Sequence, residues 1–203
     1  AVSIFVNPKQ FAPHEDLERY PRQEEADAQL LAKVGCDLIY LPTPALMYPE
    51  GFTTKLEVGG PALALETEFR PQFFSGVAVV VLKLLNQISP DLAAFGEKDY
   101  QQLLTIKRLV ADLDLPVEIL AVPTARDAFG LALSSRNAYL SEAETMVARQ
   151  LNGILADTLL KVRDGCDLAG LEQAAAASLI DAGFTSVDYV AIRDATNLGP
   201  VRD

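Results

Sequence analysis

Tryptophan is missing from the 203 residues, histidine occurs once, at His14, and cysteine only twice, at Cys36 and Cys166. One histidine and two distant thiols, neither in a C-x-x-C pair, cannot assemble a zinc site from the usual ligands. The thiols read instead as reduced packing residues of a cytoplasmic protein. No apolar run reaches membrane-spanning length, and no charged leader precedes a short apolar segment. Positive charge is scarce too: 17 Lys and Arg stand against 28 Asp and Glu, a net charge of −11. Such a chain is a poor partner for nucleic acid, which is held by many phosphate contacts. An anionic small molecule would have to be held locally, against the overall field, by Lys9, Arg70, Lys98, Arg126 or Arg136. The fingerprints G-x-G-x-x-G and G-x-x-x-x-G-K-[ST] are both lacking, so neither a dinucleotide site nor a Walker-type NTPase is supported. His14 lies far in sequence from Ser134 and Ser135, which leaves no Ser/His/Asp triad.

Half of the residues are apolar, and they fall into alternating strand-like and helix-like segments. Ala1–Val6 reads as a buried parallel strand stopped by Asn7-Pro8. A helix over Pro21–Val34 follows, with Ala26, Leu30, Leu31 and Val34 on one face and Gly35 as its stop. Asp37–Leu41 is a second strand; residues 48–76 are an irregular stretch with a short strand near Lys55–Val58. Val77–Ile88 is apolar nearly all round and is expected to be a buried helix. Asp91–Phe95 and Val117–Val122 are further strands, separated by a helix with Leu103, Leu104, Ile106, Leu109, Val110 and Leu113 at i, i+3, i+4 spacing. This alternation argues for βαβ units and a parallel sheet. After Asn137 the pattern changes: a capping box at Ser141–Glu144 opens a long helix to about Val162, Leu168–Ala182 is an Ala-rich helix, and Thr185–Ile192 is a strand. The expected organisation is a domain over residues 1–123 and a smaller α+β domain over 124–203.

Three polar clusters sit where these strands end. Asn7-Pro8-Lys9-Gln10-Phe11 offers an amide pair able to read the hydroxyl and carboxylate of a small acid. In Gly96-Glu97-Lys98-Asp99-Tyr100-Gln101-Gln102, Gly96 permits close backbone approach and Lys98 can offset phosphate charge. Asp99 can take a ribose hydroxyl or a magnesium-bound water, and Gln102 lies about one turn along. Leu133-Ser134-Ser135-Arg136 sets two hydroxyls beside a guanidinium, a combination suited to phosphates. Each cluster alone also reads as an ordinary turn or helix start. In the carboxyl-end crevice of an open α/β sheet, the three together describe a nucleotide beside a small polar acid.

With these residues in hand, the chain resembles the pantothenate synthetase family. The matching stretches are Val2–Pro8 with Gln10-Phe11, Glu15-Asp16-Leu17 with Arg19-Tyr20-Pro21-Arg22, Phe95–Gln102, and Gly130-Leu131-Ala132-Leu133-Ser134-Ser135-Arg136-Asn137. The resemblance implies a Rossmann-like, nucleotidyltransferase-type α/β fold with a parallel sheet and a smaller C-terminal domain, related to class I aminoacyl-tRNA synthetases. It implies an adenylate-forming ligase: ATP, with Mg2+, activates pantoate as a pantoyl adenylate, pyrophosphate leaves, and β-alanine attacks. Gly96, Glu97, Lys98, Asp99, Ala125, Leu133, Ser134, Ser135 and Arg136 would contact ATP. Gln10, Gln102, Asn7 and Arg70 would serve pantoate and β-alanine. A homodimer is expected, and no residue is assigned as a metal ligand.

The same resemblance exposes departures. The chain opens inside an apolar strand, and the family's first strand and histidine-bearing motif are expected to lie outside it, as is a continuation past Asp203; no catalytic residue is assigned within it. The ring of Phe73 stands where the family has a histidine, Gln72 and Thr67 where it has glycines, and Phe129 where it has an acidic residue. Gln72 at a glycine position is expected to distort its loop. A second reading is therefore a catalytically impaired fragment or relative that serves as a nucleotide- or acid-binding or assembly module.

Overall fold

The computed structural model describes residues 1–12, 15–163 and 167–201, so the readings of His14 and Cys166 lie outside the described residues. The chain divides into two compact units, one of residues 1–95 and 101–120, the other of residues 96–100 and 121–203.

The first unit is built on β-strands and helices in alternation. Strand β1 (Val2–Ser3) pairs in parallel with β2 (Ile39–Tyr40), the amides of Val2 and Ile4 donating to Leu38 and Tyr40 carbonyls at 2.9 and 3.0 Å. Between them runs α1 (Glu24–Lys33). A second pair joins β3 (Leu92–Gly96) to β4 (Glu118–Val122), and α5 (Tyr100–Asp112) bridges the two, as a crossover must. The sheet expected as one is thus two hydrogen-bonded pairs, each short at its ends.

Helix α4 (Phe73–Ile88) is the centre of the core, as its all-round apolar pattern requires. Its Val77, Val80, Val81 and Leu85 are buried with Ile106 of α5 and with Met47 of the short helix α2 (Pro44–Met47). Phe5, Ala93, Phe95, Val117 and Ile119 turn toward this cluster, while Ser3, Leu92 and Leu120 are exposed, the period-two alternation of strands covered on one face. Each fully buried aliphatic side chain contributes about 1.5–3 kcal/mol. The α1 face behaves differently from its sequence pattern. Leu30 is 60% and Val34 80% exposed, and α1 has no buried residue among those described: the spacing forms the helix without burying its stripe.

Residues 48–72 carry no strand among the described residues, so the one expected near Lys55–Val58 is absent. A turn of 3-10 helix (Gly60–Ala62) and α3 (Glu66–Phe69) replace it. The segment is pinned from α5, whose Gln101 side chain donates to the carbonyls of Pro61 and Ala64 and accepts from Glu66 N–H. Ala64 and Leu65 are held there at φ +60° and +51°, a costly conformation for residues with a Cβ.

In the second unit, Ser141 and Glu144 close the expected capping box. The long helix is interrupted at Arg149, giving α6 (Glu142–Ala148) and α7 (Gln150–Arg163). Arg149, still at right-handed helical angles between the two, pairs with Asp127 at 2.9 Å. Helix α8 (Leu168–Asp181) packs along α7, burying Thr158, Ala175 and Leu179. Residues 185–192 form no strand. The Ile192 amide donates to the Glu172 carboxylate at 2.7 Å, a side chain of α8 taking the bond a strand neighbour would have accepted.

Candidate functional site

The Asn-Pro turn after β1 becomes a single turn of 3-10 helix, Pro8–Gln10, because Pro8 presets φ and Asn7 caps the turn through Oδ1, which accepts from Lys9 N–H at 3.2 Å. Asn7 is 4% exposed, and its amide is fully used. Oδ1 also accepts from the Tyr48 hydroxyl at 2.7 Å, while Nδ2 donates to Gln10 Oε1 at 2.8 Å and to the Gly76 carbonyl at 3.2 Å. Burial pushes the Tyr48 hydroxyl up to about 12, against the opposing pull of its bond to Asn7. The turn sits directly on α4: a Cβ at Gly76 would lie 2.4 Å from the Lys9 carbonyl oxygen, so only glycine permits this approach.

Arg70 holds the other side of the turn. Its Nη2 donates to the Gln10 carbonyl at 2.9 Å and to Glu15 at 2.7 Å, Nε lies 2.6 Å from Glu15, and Nη1 donates to Glu66 at 2.9 Å. The guanidinium stacks 4.2 Å from the Phe73 ring centroid. Burial works against its charge, but the two carboxylates outweigh that and hold its pKa above the ordinary arginine value. Phe73 therefore serves as the platform under Arg70. Gln72 is in ordinary right-handed helical conformation (φ −97°, ψ −4°), so the expected distortion there does not occur; the strain sits instead at Ala64 and Leu65. Of the four residues expected to serve the acid, Asn7, Gln10 and Arg70 are joined in one network. Gln102 stands half-buried on α5, in the same unit, with no hydrogen-bond partner for its amide among the described residues.

The residues expected to contact ATP all belong to the other unit. Gly96 is extended (φ −74°, ψ 138°), and a Cβ placed on it would meet nothing, so its face is open. Glu97–Asp99 form a 3-10 turn in which Lys98 Nζ lies 3.3 Å from Asp99 Oδ1, an exposed and therefore weak pair. Ala125 and Leu133 are tied by a Leu133 N–H to Ala125 carbonyl bond of 2.9 Å at the mouth of a hairpin. Ser134 caps the 3-10 helix Ser135–Tyr139 through Oγ, which accepts from Arg136 N–H at 3.3 Å; the Ser135 and Arg136 side chains are exposed.

Several residues that shape these clusters escaped sequence reasoning. Tyr48 lies 41 positions from Asn7, and nothing local announces their bond. Asp127 organises the hairpin below Ser134: Oδ1 accepts from the amides of Phe129 and Leu131, each at 2.9 Å, and Oδ2 from Arg149. Burial opposes its ionisation, but those two amides and Arg149 outweigh it and hold the carboxyl below the usual range. Phe129 supports Arg149, whose guanidinium lies 4.0 Å from its ring centroid. Arg126, a candidate phosphate cation from sequence, donates to the Gly130 carbonyl at 3.0 Å and closes the same hairpin. Lys9, another, rests over the rings of Tyr48 and Phe52 at 4.6 and 4.5 Å. The D-x-x-G spacing of Asp127 and Gly130 was the one available signal for this loop.

Comparison with known proteins identifies the family. Residues 1–203 match the family model described as pantoate-beta-alanine ligase. The chain is 56% identical over 201 residues to the pantothenate synthetase of Mesorhizobium japonicum, spanning 99% of this chain and 71% of that protein. It is 53% identical over 201 residues to that of Maricaulis maris, spanning 99% and 69%. The crystal structure of pantothenate synthetase from Thermus thermophilus has the same α/β fold, with a TM-score of 0.92 at 45% identity over 100% of this chain and 74% of that one. The pantoate-beta-alanine ligase of Francisella tularensis, solved in complex with beta-gamma ATP and beta-alanine, aligns over 90% of this chain and 67% of its own, with a TM-score of 0.78 at 36% identity. A match along the entire sequence, carried by close relatives and by the fold alike, places the chain in the pantoate-beta-alanine ligase family.

Proposed function

We propose that this chain is the pantoate- and nucleotide-binding part of an ATP-dependent ligase that condenses pantoate with β-alanine through a pantoyl-adenylate intermediate. The observation that carries this reading is Gln10, fixed on Asn7 and Arg70 with its amide nitrogen unengaged, in a chain whose relatives are named pantothenate synthetase. In the first step a pantoate carboxylate oxygen attacks the α-phosphorus of ATP, a P–O bond forms, and pyrophosphate leaves. In the second the β-alanine amine attacks the acyl carbon, AMP leaves with the carboxylate oxygen, and the nitrogen loses a proton as the amide forms. Such chemistry needs positioning and charge neutralisation rather than a covalent group on the protein.

The roles divide between the units. Gln10 and Gln102 read the acid, and Asn7 and Arg70 hold Gln10 in place. Lys98 and Arg136 offset phosphate charge, the hydroxyls of Ser134 and Ser135 donate to phosphate oxygens, and the open backbone at Gly96 and the exposed Ala125 and Leu133 approach the nucleotide. Residues 1–123 are the larger domain and residues 124–203 the smaller C-terminal one. Magnesium fits these residues. No three His, Cys, Asp or Glu converge among the described residues, and magnesium on nucleotide phosphates asks for only one or two carboxylates, with water completing its shell. Glu97 and Asp99 would supply them, and the bound ion would offset phosphate charge. We place the enzyme in the cytoplasm, consistent with the unpaired Cys36, and as a homodimer by likeness to the family.

The alternative of a non-catalytic module is not favoured. Of the residues that suggested it, Phe73 supports Arg70 and Gln72 begins α4 without strain. Pantothenate formation from pantoate, β-alanine and ATP by the purified ligase of which this chain is part tests the proposal. Product is expected with all three substrates, with Lys98→Ala and Arg136→Ala each slowing it by about 100-fold. ATP hydrolysis indifferent to pantoate would refute it.

A further inference from the structure

Gln10 Oε1 accepts from Asn7 Nδ2 at 2.8 Å, and this one bond decides which end of the Gln10 amide is offered. Its polarity is fixed from behind. The Lys9 amide at 3.2 Å can only donate, so the Asn7 oxygen must face it, and the Tyr48 hydroxyl donates to that same oxygen at 2.7 Å. The Gly76 carbonyl at 3.2 Å needs a donor, so the Asn7 nitrogen must face it, and with it Gln10. All four hydrogen-bonding positions of the Asn7 amide are then occupied, and Asn7 is buried, which leaves it no capacity for a ligand. Gln10 keeps both N–H groups of its amide without a partner among the described residues.

We infer that Tyr48 is a positioning residue: the relay Tyr48–Asn7–Gln10 turns the Gln10 amide so that it presents two donors, and no acceptor, to an acceptor oxygen of the small acid. A glutamine free to rotate about its last bond would offer either end with similar ease and read an acid no better than an amide. With the relay in place, it favours oxygens that only accept, as an ionised carboxylate does. Tyr48 suits this task because its ring is held independently of its hydroxyl, against Phe5, Phe52 and the Lys9 ammonium. The hydroxyl can therefore be removed without moving the ring.

This inference rests on the acid-binding role proposed for Gln10, and a double-mutant cycle separates the two. Pantoate and ATP binding are measured by isothermal titration for the unsubstituted protein, Tyr48→Phe, Gln10→Ala and the double variant. Tyr48→Phe is expected to weaken pantoate about fivefold, the effect of one lost polar contact, and to leave ATP binding unchanged. In the Gln10→Ala background the same substitution is expected to change nothing, because the relay then has no end to orient. Asn7→Asp, which cannot donate to Gln10, is expected to weaken pantoate at least as much as Tyr48→Phe. A fivefold loss that persists without Gln10, or no loss with it, overturns the relay while the functional reading stands. Failure of the unsubstituted protein to bind pantoate overturns the functional reading and the relay with it.

Discussion

Replacing Gly76 by alanine opposes two effects of known size, and the structure decides between them. Gly76 lies inside α4, where alanine is preferred over glycine by about 1 kcal/mol, so local propensity alone predicts a gain. The new Cβ would stand 2.4 Å from the Lys9 carbonyl oxygen, 2.8 Å from its carbon and 3.3 Å from the Gln10 amide nitrogen. All three are backbone atoms of a capped turn, not the ends of flexible side chains. Ordinary contact near ~3.5 Å requires the Pro8–Gln10 turn to retreat by about 1 Å. Overpacking of this kind costs about 1–3 kcal/mol, so the net is a destabilisation of roughly 1 kcal/mol after the helix gain. For a chain of this size that lowers Tm by about 2–4 °C. The same retreat carries Gln10 with it and stretches the bond from Asn7 to the Gly76 carbonyl, and a 1 Å error at a substrate-positioning group costs about 100-fold in rate. Thermal unfolding followed by circular dichroism, paired with pantothenate formation, reads both consequences. Gly153→Ala in α7 is the control: a Cβ there meets nothing within 4 Å, and it should raise stability by up to about 1 kcal/mol. If Gly76→Ala raises Tm as Gly153→Ala does and turnover is unchanged, the close packing of α4 on the turn is refuted.

The Asp127 carboxyl is held below its ordinary range, so its contribution to stability is present above the unfolded pKa of about 3.9 and disappears as pH falls through the lower folded value. Acid unfolding should accordingly lose that component in Asp127→Asn, whose stability should vary less than that of the unsubstituted protein below about pH 4. Tyr48 titrates in the opposite sense. Its folded pKa of about 12 exceeds the ordinary tyrosine value of about 10, so its contribution is intact below pH 10 and lost as pH rises through 12. Absorbance at alkaline pH should show a late-ionising tyrosine that Tyr48→Phe removes; the same late phase in both proteins would place Tyr48 outside a buried hydrogen bond.

Much of the fold was legible where a segment answers to one local rule. The apolar circumference of Val77–Ile88 announced a buried helix, the i, i+3, i+4 spacing of Leu103–Leu109 its neighbour, and Ser141–Glu144 a capped start. Where the outcome depends on distant partners, the sequence pattern misled. Leu30 and Val34 have the spacing of a buried stripe and are exposed, because periodicity cannot say whether anything lies opposite. Thr185–Ile192 alternates like a strand, yet Glu172 captures the amide of Ile192. The long helix after Ser141 is interrupted at Arg149, whose ion pair with Asp127, 22 positions earlier, no local pattern announces. At the candidate site, the polar clusters could be picked out because three of them fall together where strands end. Their supports could not: Tyr48 on Asn7 and Gln101 on the strained Ala64–Leu65 turn are contacts across the fold.

The central claim is that the pantoate carboxylate itself attacks the α-phosphorus of ATP. Pantoate labelled with oxygen-18 in both carboxylate oxygens tests it directly, by mass spectrometry of the nucleotide after complete turnover with β-alanine. The account predicts one labelled oxygen in AMP and none in pyrophosphate. Label in inorganic phosphate alongside ADP, or unlabelled AMP, would contradict it.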